Sequence, residues 1–189
     1  MRATGRDGAE CMKKLSHDEI SINRATLETT YLVRKLPVVV IVNNIRSSYN
    51  VGSIFRTSDG AMVEKVVLCG FTPAPPRKEV LKTALGATES VPWEYREDAL
   101  DVVKEYKEKG YKILALELTE NSRTYYSLDR EAFPCVLIVG NEITGVNQDL
   151  LDLCDSALEI PQFGIKQSLN VAVAYGISIF ELRRVFDTE

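Results

Sequence analysis

The sequence predicts an α/β domain with a mostly parallel sheet flanked by helices. Short apolar runs of strand length recur along the chain, helical segments separate them, and glycine or proline marks the joins. With 189 residues, 45% hydrophobic and 26% charged, the chain suits one domain with a proper core.

Residues 1–14 carry scattered charge without apolar periodicity and read as a disordered lead. Ser16-His17-Asp18-Glu19 fits a capping box, opening a helix with Ile20, Leu27 and Tyr31 that Pro37 stops. Val38 to Val42 then reads as a buried strand, Val51 to Gly60 as a helix, and Lys65 to Cys69 as a strand closed by Gly70. Phe71 to Pro76 is a proline-containing loop, followed by a short helix from Lys78 to Leu85. Ser90 to Tyr95 fits a short strand. Asp98 to Lys109 fits a helix with Leu100, Val103 and Tyr106 inward and Gly110 as its stop. Ile113 to Leu116, Cys135 to Val139 and Ala157 to Ile160 complete the strands, with a helix from Gln148 to Leu153 between the last two. By periodicity alone the sheet reads as doubly wound and Rossmann-like, but no GxGxxG follows any strand.

Composition narrows the chemistry. No apolar run approaches the ~20 residues of a bilayer span and no signal peptide is visible, so the expectation is a cytoplasmic protein without membrane contact. The four cysteines, Cys11, Cys69, Cys135 and Cys154, form no CxxC pair, and His17 is the single histidine. A zinc site or a histidine-dependent triad is therefore not expected, and any catalysis must use other groups. A net charge of −4 argues against indiscriminate nucleic-acid binding. Local basic patches remain at Lys13, Lys14, Arg24, Arg34 and Lys35, and at Arg77, Lys78 and Lys82.

Three polar constellations follow predicted strands, where open α/β sheets place their ligand crevice. The first, Asn43 to Thr57, runs into a helix. Asn50 can cap that helix, Gly52 allows close approach, and Arg56 lies about two turns in. The second, Gly140-Asn141-Glu142-Ile143-Thr144-Gly145-Val146, reads either as a tight turn or as a carboxylate that orients a ligand or an arginine. The third runs from Ile160 through Gly164 and Lys166 into Ser168-Leu169-Asn170. Ser168 is a good N-cap, whereas Asn170 has no evident local duty at the head of a strongly apolar helix. Taken alone, this is a capped core helix or the edge of a site.

Together the three segments resemble the signature motifs of the SpoU-like, or TrmH-like, RNA ribose methyltransferases of the knotted SPOUT superfamily. Asn44-Ile45-Arg46, Asn50-Val51-Gly52 and Phe55-Arg56-Thr57 carry the first motif, Gly140 to Val146 the second, and Ile160-Pro161 with Ser168-Leu169-Asn170-Val171 the third. The likeness covers roughly 37–186, in order and spacing. It implies a methyltransferase domain over 37–189 behind an N-terminal extension of 1–36, with a C-terminal deep trefoil knot. It implies S-adenosylmethionine as cofactor, held by Leu116, Gly140, Ile160 and Leu169 through backbone groups and apolar contacts. It implies a catalytic set of Asn50, Arg56, Glu142, Ser168 and Asn170, and a homodimer packed through the knot region. Methyl transfer to a ribose 2′-hydroxyl of tRNA or rRNA follows, with Arg46, Arg77, Lys78 and Lys82 as candidate RNA contacts. A guanidinium keeps its proton, so Arg56 is expected to anchor phosphate and developing alkoxide, with Glu142 orienting Arg56 or Asn50. A base-specific SPOUT enzyme and a non-catalytic RNA-binding or assembly factor are the alternatives, and no motif decay favours the latter.

Overall fold

The computed structural model describes residues 12–22 and 24–188, so Cys11 and most of the expected lead lie outside the described residues. The chain divides into two units between Val33 and Arg34. In the first, the capping box forms: the Ser16 N–H donates to Glu19 Oε2 at 2.7 Å and the Glu19 N–H to Ser16 Oγ at 3.2 Å. The helix it opens, α1 (His17–Ile22), is much shorter than expected, and Thr30–Leu32 forms a separate 3-10 turn. Ile22 and Leu27 are exposed, so among the described residues no buried apolar stripe offsets the cost of helix nucleation.

The second unit is built on seven strands: β1 (Leu36–Asn43), β2 (Val63–Cys69), β3 (Trp93–Arg96), β4 (Lys112–Leu116), β5 (Arg123–Thr124), β6 (Cys135–Val139) and β7 (Ser156–Glu159). All pair in parallel, in the order β3-β2-β1-β6-β4-β7-β5. A Rossmann-like order would leave β4 beside β1. Here β6 is inserted between them, which corrects the doubly wound reading. The helices are α2 (Ser48–Ala61), α3 (Lys78–Ala84), α4 (Ala87–Ser90), α5 (Ala99–Glu108), α6 (Gln148–Leu151) and α7 (Val171–Asp187).

The alternation of β1 decides the layers. Leu36, Val38, Val40 and Val42 join one core cluster with residues of α2, α3 and α7, while Val39 and Ile41 join another with residues of α5 and α6. Burial on both faces explains why β6 is apolar throughout and β1 is apolar up to its last residue, Asn43. Two details differ from expectation. Residues 87–90 form a short helix before the strand, and α5 turns Ala99, Val102, Val103 and Tyr106 inward with Leu100 only partly covered. Asp98 caps α5 by accepting from the Leu100 N–H at 2.9 Å, and Gly110, with φ of 83°, takes the left-handed turn that ends it.

Helices α2 and α7 cross above the sheet, joined in the core by the Ser58 and Tyr175 hydroxyls at 2.6 Å. Against α3, α2 relies on Gly52. A Cβ there would fall on Thr83 Oγ1 and on the Val80 carbonyl oxygen. Exchanging an interior helical glycine for alanine normally gains up to ~1 kcal/mol. Gly52→Ala is expected instead to lose about 1–3 kcal/mol in urea or thermal unfolding, because the backbone of α3 must move.

Candidate active site

Strand β1 ends in a bend fixed by Asn44, whose φ of 57° lies in the left-handed region. Its Oδ1 accepts from the Phe71 N–H at 3.2 Å, and its carbonyl oxygen accepts from Asn141 Nδ2 at 2.7 Å. Ser47, rather than Asn50, caps α2, its Oγ accepting from the Asn50 N–H at 3.3 Å. This frees the Asn50 side chain for other duty.

Strand β6 leads straight into the turn Gly140 to Val146. Asn141 and Gly145 exchange backbone hydrogen bonds at 3.0 and 2.9 Å, and Asn141 Oδ1 accepts from the Ile143 and Thr144 N–H groups. A Cβ at Gly140 would overlap the Gly145 carbonyl, so only glycine lets the turn close on itself. The expected tight turn and the expected site carboxylate are therefore the same feature. The turn presents Glu142 to the head of α2, where its carboxylate accepts from the Arg46 N–H at 2.8 Å, the Ser47 N–H at 3.0 Å and Asn50 Nδ2 at 2.9 Å. A negative charge at a helix N-terminus is favourable in its own right.

Asn50 passes the connection on. Its Oδ1 accepts from Asn170 Nδ2 at 3.1 Å, while Asn170 Oδ1 accepts from the Ala172 and Val173 N–H groups at 2.9 and 3.4 Å. Asn170 is thus the N-cap of α7, and the expectation that Ser168 caps it is corrected. Ser168 lies two positions before the cap, on the exposed loop 162–170. Arg56 is not part of the cluster. It is exposed, and on an ideal helix it lies about 120° around α2 from Asn50. Of the two partners expected for Glu142, the structure selects Asn50.

Beside this cluster lies a cavity of about 770 Å³ formed by the ends of β4, β6 and β7, the loop 160–170 and the start of α7. All four residues expected to hold a cofactor, Leu116, Gly140, Ile160 and Leu169, line it, as do Glu142, Ser168 and Asn170. Leu118, Val139 and Leu158 add apolar wall, and residues of the loop from Pro161 to Ser168, Phe163 excepted, line one side. Sequence reading passed over Glu117, which also lines the cavity. Its Oε2 accepts from the Val146 N–H at 2.8 Å and its Oε1 from the Leu118 N–H at 2.9 Å. The only signal was a carboxylate directly after a strand.

The basic candidates are exposed. Arg46 sits on the β1–α2 turn, and Arg77, Lys78 and Lys82 at or within the short helix α3, with Arg77 3.5 Å from Glu79. Burial pushes the thiols of Cys69 and Cys135 up to about 12, which leaves them inert packing groups. Among the described residues no group of three or more His, Cys, Asp or Glu is placed to hold a metal.

Partial burial raises the Glu142 carboxyl, but the Arg46 N–H, the Asn50 amide and the Ser47 N–H outweigh it, and the group lies below its ordinary 4.5. A lowered folded value means that its contribution to stability is complete above about pH 4.5 and is lost as the pH falls through the lowered value. Glu142→Ala is expected to cost about 1–2 kcal/mol at neutral pH, discounted for its exposure. Unfolding curves from about pH 6 down to about pH 3 should show the variant losing less stability with acid than the unaltered protein.

Comparison with known proteins agrees with this arrangement. Residues 37–180 match the SpoU rRNA Methylase family. The tRNA (guanosine(18)-2'-O)-methyltransferase of Aquifex aeolicus is 30% identical over 80% of this chain and 71% of its own length. The enzyme of that name from Escherichia coli K12 is 31% identical over 81% of this chain and 66% of its own. Some other relatives are matched over only 59% of their length. The crystal structure of the A. aeolicus TrmH/SpoU tRNA modifying enzyme superposes with a TM-score of 0.75, at 29% identity, over 84% of this chain and 81% of that one. The AdoMet-bound rRNA methyltransferase from Sinorhizobium meliloti gives 0.74 at 30% identity, over 80% and 57%. The fold is accordingly the α/β knot of these enzymes. With three ordered motifs converging on one cavity rim, the chain belongs to the SpoU rRNA methylase family.

Proposed function

We propose that this chain transfers the methyl group of S-adenosylmethionine to a ribose 2′-hydroxyl of tRNA or rRNA. The observation that carries the reading is the cavity bordered by the Glu142–Asn50–Asn170 chain, so that a cofactor and a nucleotide have adjoining places. The residues fit the cofactor. A volume of about 770 Å³ lies in the ordinary range for small-molecule sites. Its apolar walls suit the faces of adenine, and strand ends offer backbone groups for the ring edge. Leu116, Gly140, Ile160 and Leu169 would hold it. When bound, it supplies a sulfonium methyl as electrophile.

The protein's part is to position a weak nucleophile in line with the sulfonium methyl. Glu142 fixes Asn50, and Asn170 fixes it from the other side, giving a pre-set polar rim for a ribose. Ser168, on the loop beside Leu169, adds a hydroxyl to that rim. Arg56, which lies outside that cluster on another exposed face of α2, is assigned as the electrostatic anchor for RNA phosphate and, once RNA is bound, for the developing alkoxide. Arg46, Arg77, Lys78 and Lys82 supply phosphate contacts, which position RNA without reading its sequence. Relatives named as 2'-O-methyltransferases favour ribose over base as the acceptor. Such work fits the cytoplasm, and no helix among the described residues is long and apolar enough to cross a membrane.

A homodimer belongs to the same reading. Val173 and Phe180 are half exposed on one face of α7, and Phe163 and Ile165 stand almost fully exposed on the loop before it. A second copy packed through the knot region would cover these groups.

Two experiments test these statements. Arg56→Ala is expected to bind S-adenosylmethionine as the unaltered protein does in calorimetry, while 2′-O-methylation of RNA falls about a hundredfold or more. Near-normal turnover would remove Arg56 from the site, and absence of cofactor binding by the unaltered protein would favour an assembly factor. For the dimer, Phe180→Glu should shift the mass measured by light scattering from two chains to one.

A further inference from the structure

The cavity wall contains a feature that the transfer reaction alone does not require. The register of β4 and β7 pairs Leu116 with Leu158, which brings the next residues, Glu117 and Glu159, to neighbouring backbone positions just past the last pair. Adjacent strands lie only about 4.8 Å apart, and like charges in neighbouring positions repel. Both residues line the cavity, yet among the described residues neither has an ion-pair partner. Glu117 is held by the Val146 and Leu118 N–H groups, and Glu159 accepts from the Ser122 hydroxyl at 2.6 Å. Each carboxylate is therefore held by neutral donors, with no cation at ion-pair distance among the described residues.

The other charges on the wall do not cancel the pair. Glu142 spends its oxygens on the head of α2, and Lys166 sits on the exposed loop, beyond ion-pair distance of both carboxylates. A cavity lined this way favours a cationic occupant.

Resting on the proposed use of S-adenosylmethionine, we infer that Glu117 and Glu159 are specificity-determining residues that make the cavity discriminate the cationic methyl donor from its neutral demethylated product. The donor carries a sulfonium, an ammonium and a carboxylate, for a net charge of +1. The product, S-adenosylhomocysteine, is a thioether without the sulfonium charge and is neutral overall. The two ligands share adenine, ribose and amino acid, so the apolar walls and backbone groups cannot tell them apart. The acidic wall can. It weakens the hold on the ligand once the methyl has left, which favours release of product and re-entry of donor.

The test is calorimetric titration of the full chain with each ligand separately, in the unaltered protein and in Glu117→Gln and Glu159→Gln. Each amide keeps an acceptor oxygen and removes one charge. Donor affinity is expected to fall about five- to tenfold in each variant, with product affinity staying within about twofold. A tenfold change in that ratio corresponds to about 1.4 kcal/mol. Equal losses for both ligands, or no loss for either, would overturn the inference while leaving the cavity as the cofactor site. Should the unaltered protein bind neither ligand, the cofactor reading fails and the inference with it. Glu159→Gln guards against misfolding of the Glu117 variant, since Glu159 supports no turn at Gly145.

Discussion

The site depends on one carboxylate. Glu142 sits on a turn after β6, yet its hydrogen-bond donors are the last two N–H groups of the β1–α2 turn and the amide of Asn50. Three segments that are 28 to 120 residues apart in sequence are brought together this way, because the chain continues from Asn50 to Asn170 and the head of α7. The energetic logic is local. Arg46 and Ser47 offer N–H groups at a helix start that the helix itself cannot use. A carboxylate is the strongest acceptor available for them, and the helix dipole adds to the attraction.

That junction is rigid only because its platforms are. Strands β1 and β6 are adjacent and buried on both faces, Pro37 alone being partly covered, so the turns that leave them start from fixed points. Asn44 and Asn141 then tie the two turns directly, and the Gly140–Gly145 contact leaves the second turn no room to relax. The cavity inherits this order along one wall. Its other wall, the loop 162–170, is exposed throughout. One side of the site is preformed by the sheet, and the opposite side is a surface segment anchored by the cap at Asn170.

Much of this was legible in the residues. Runs such as Val38 to Val42 and Cys135 to Val139 can be little else than buried strands, and the constellations that follow them are the ones that meet at the cavity. What stayed hidden has physical causes. Strand β5 is two residues long and carries no period, and α1 stops early because nothing buries its apolar side. Strand order is a tertiary choice, so the insertion of β6 between β1 and β4 left no mark in periodicity. Helix phase was available but unused: the spacing between Asn50 and Arg56 places them on different faces of α2. Glu117 and Glu159 are unremarkable singly, and only the β4–β7 register makes them neighbours.

The competition between Ser168 and Asn170 shows why a cap must be assigned with its surroundings. A serine cap at 168 would satisfy local N–H groups and nothing else. Asparagine has an acceptor and a donor on one planar amide. Its Oδ1 is committed to the Ala172 and Val173 N–H groups, so its Nδ2 must point outward, toward Asn50 Oδ1. With that oxygen engaged, Asn50 can offer only its own Nδ2 to Glu142, and Glu142, as a carboxylate, can only accept. The orientation of both amides follows from the two ends of the chain, helix N–H groups at one and an anion at the other. Aspartate at either position would supply an acceptor where a donor is required, and serine would be too short to span the gap. The pair of asparagines thus carries donor-to-acceptor direction from the start of α7 to the turn after β6.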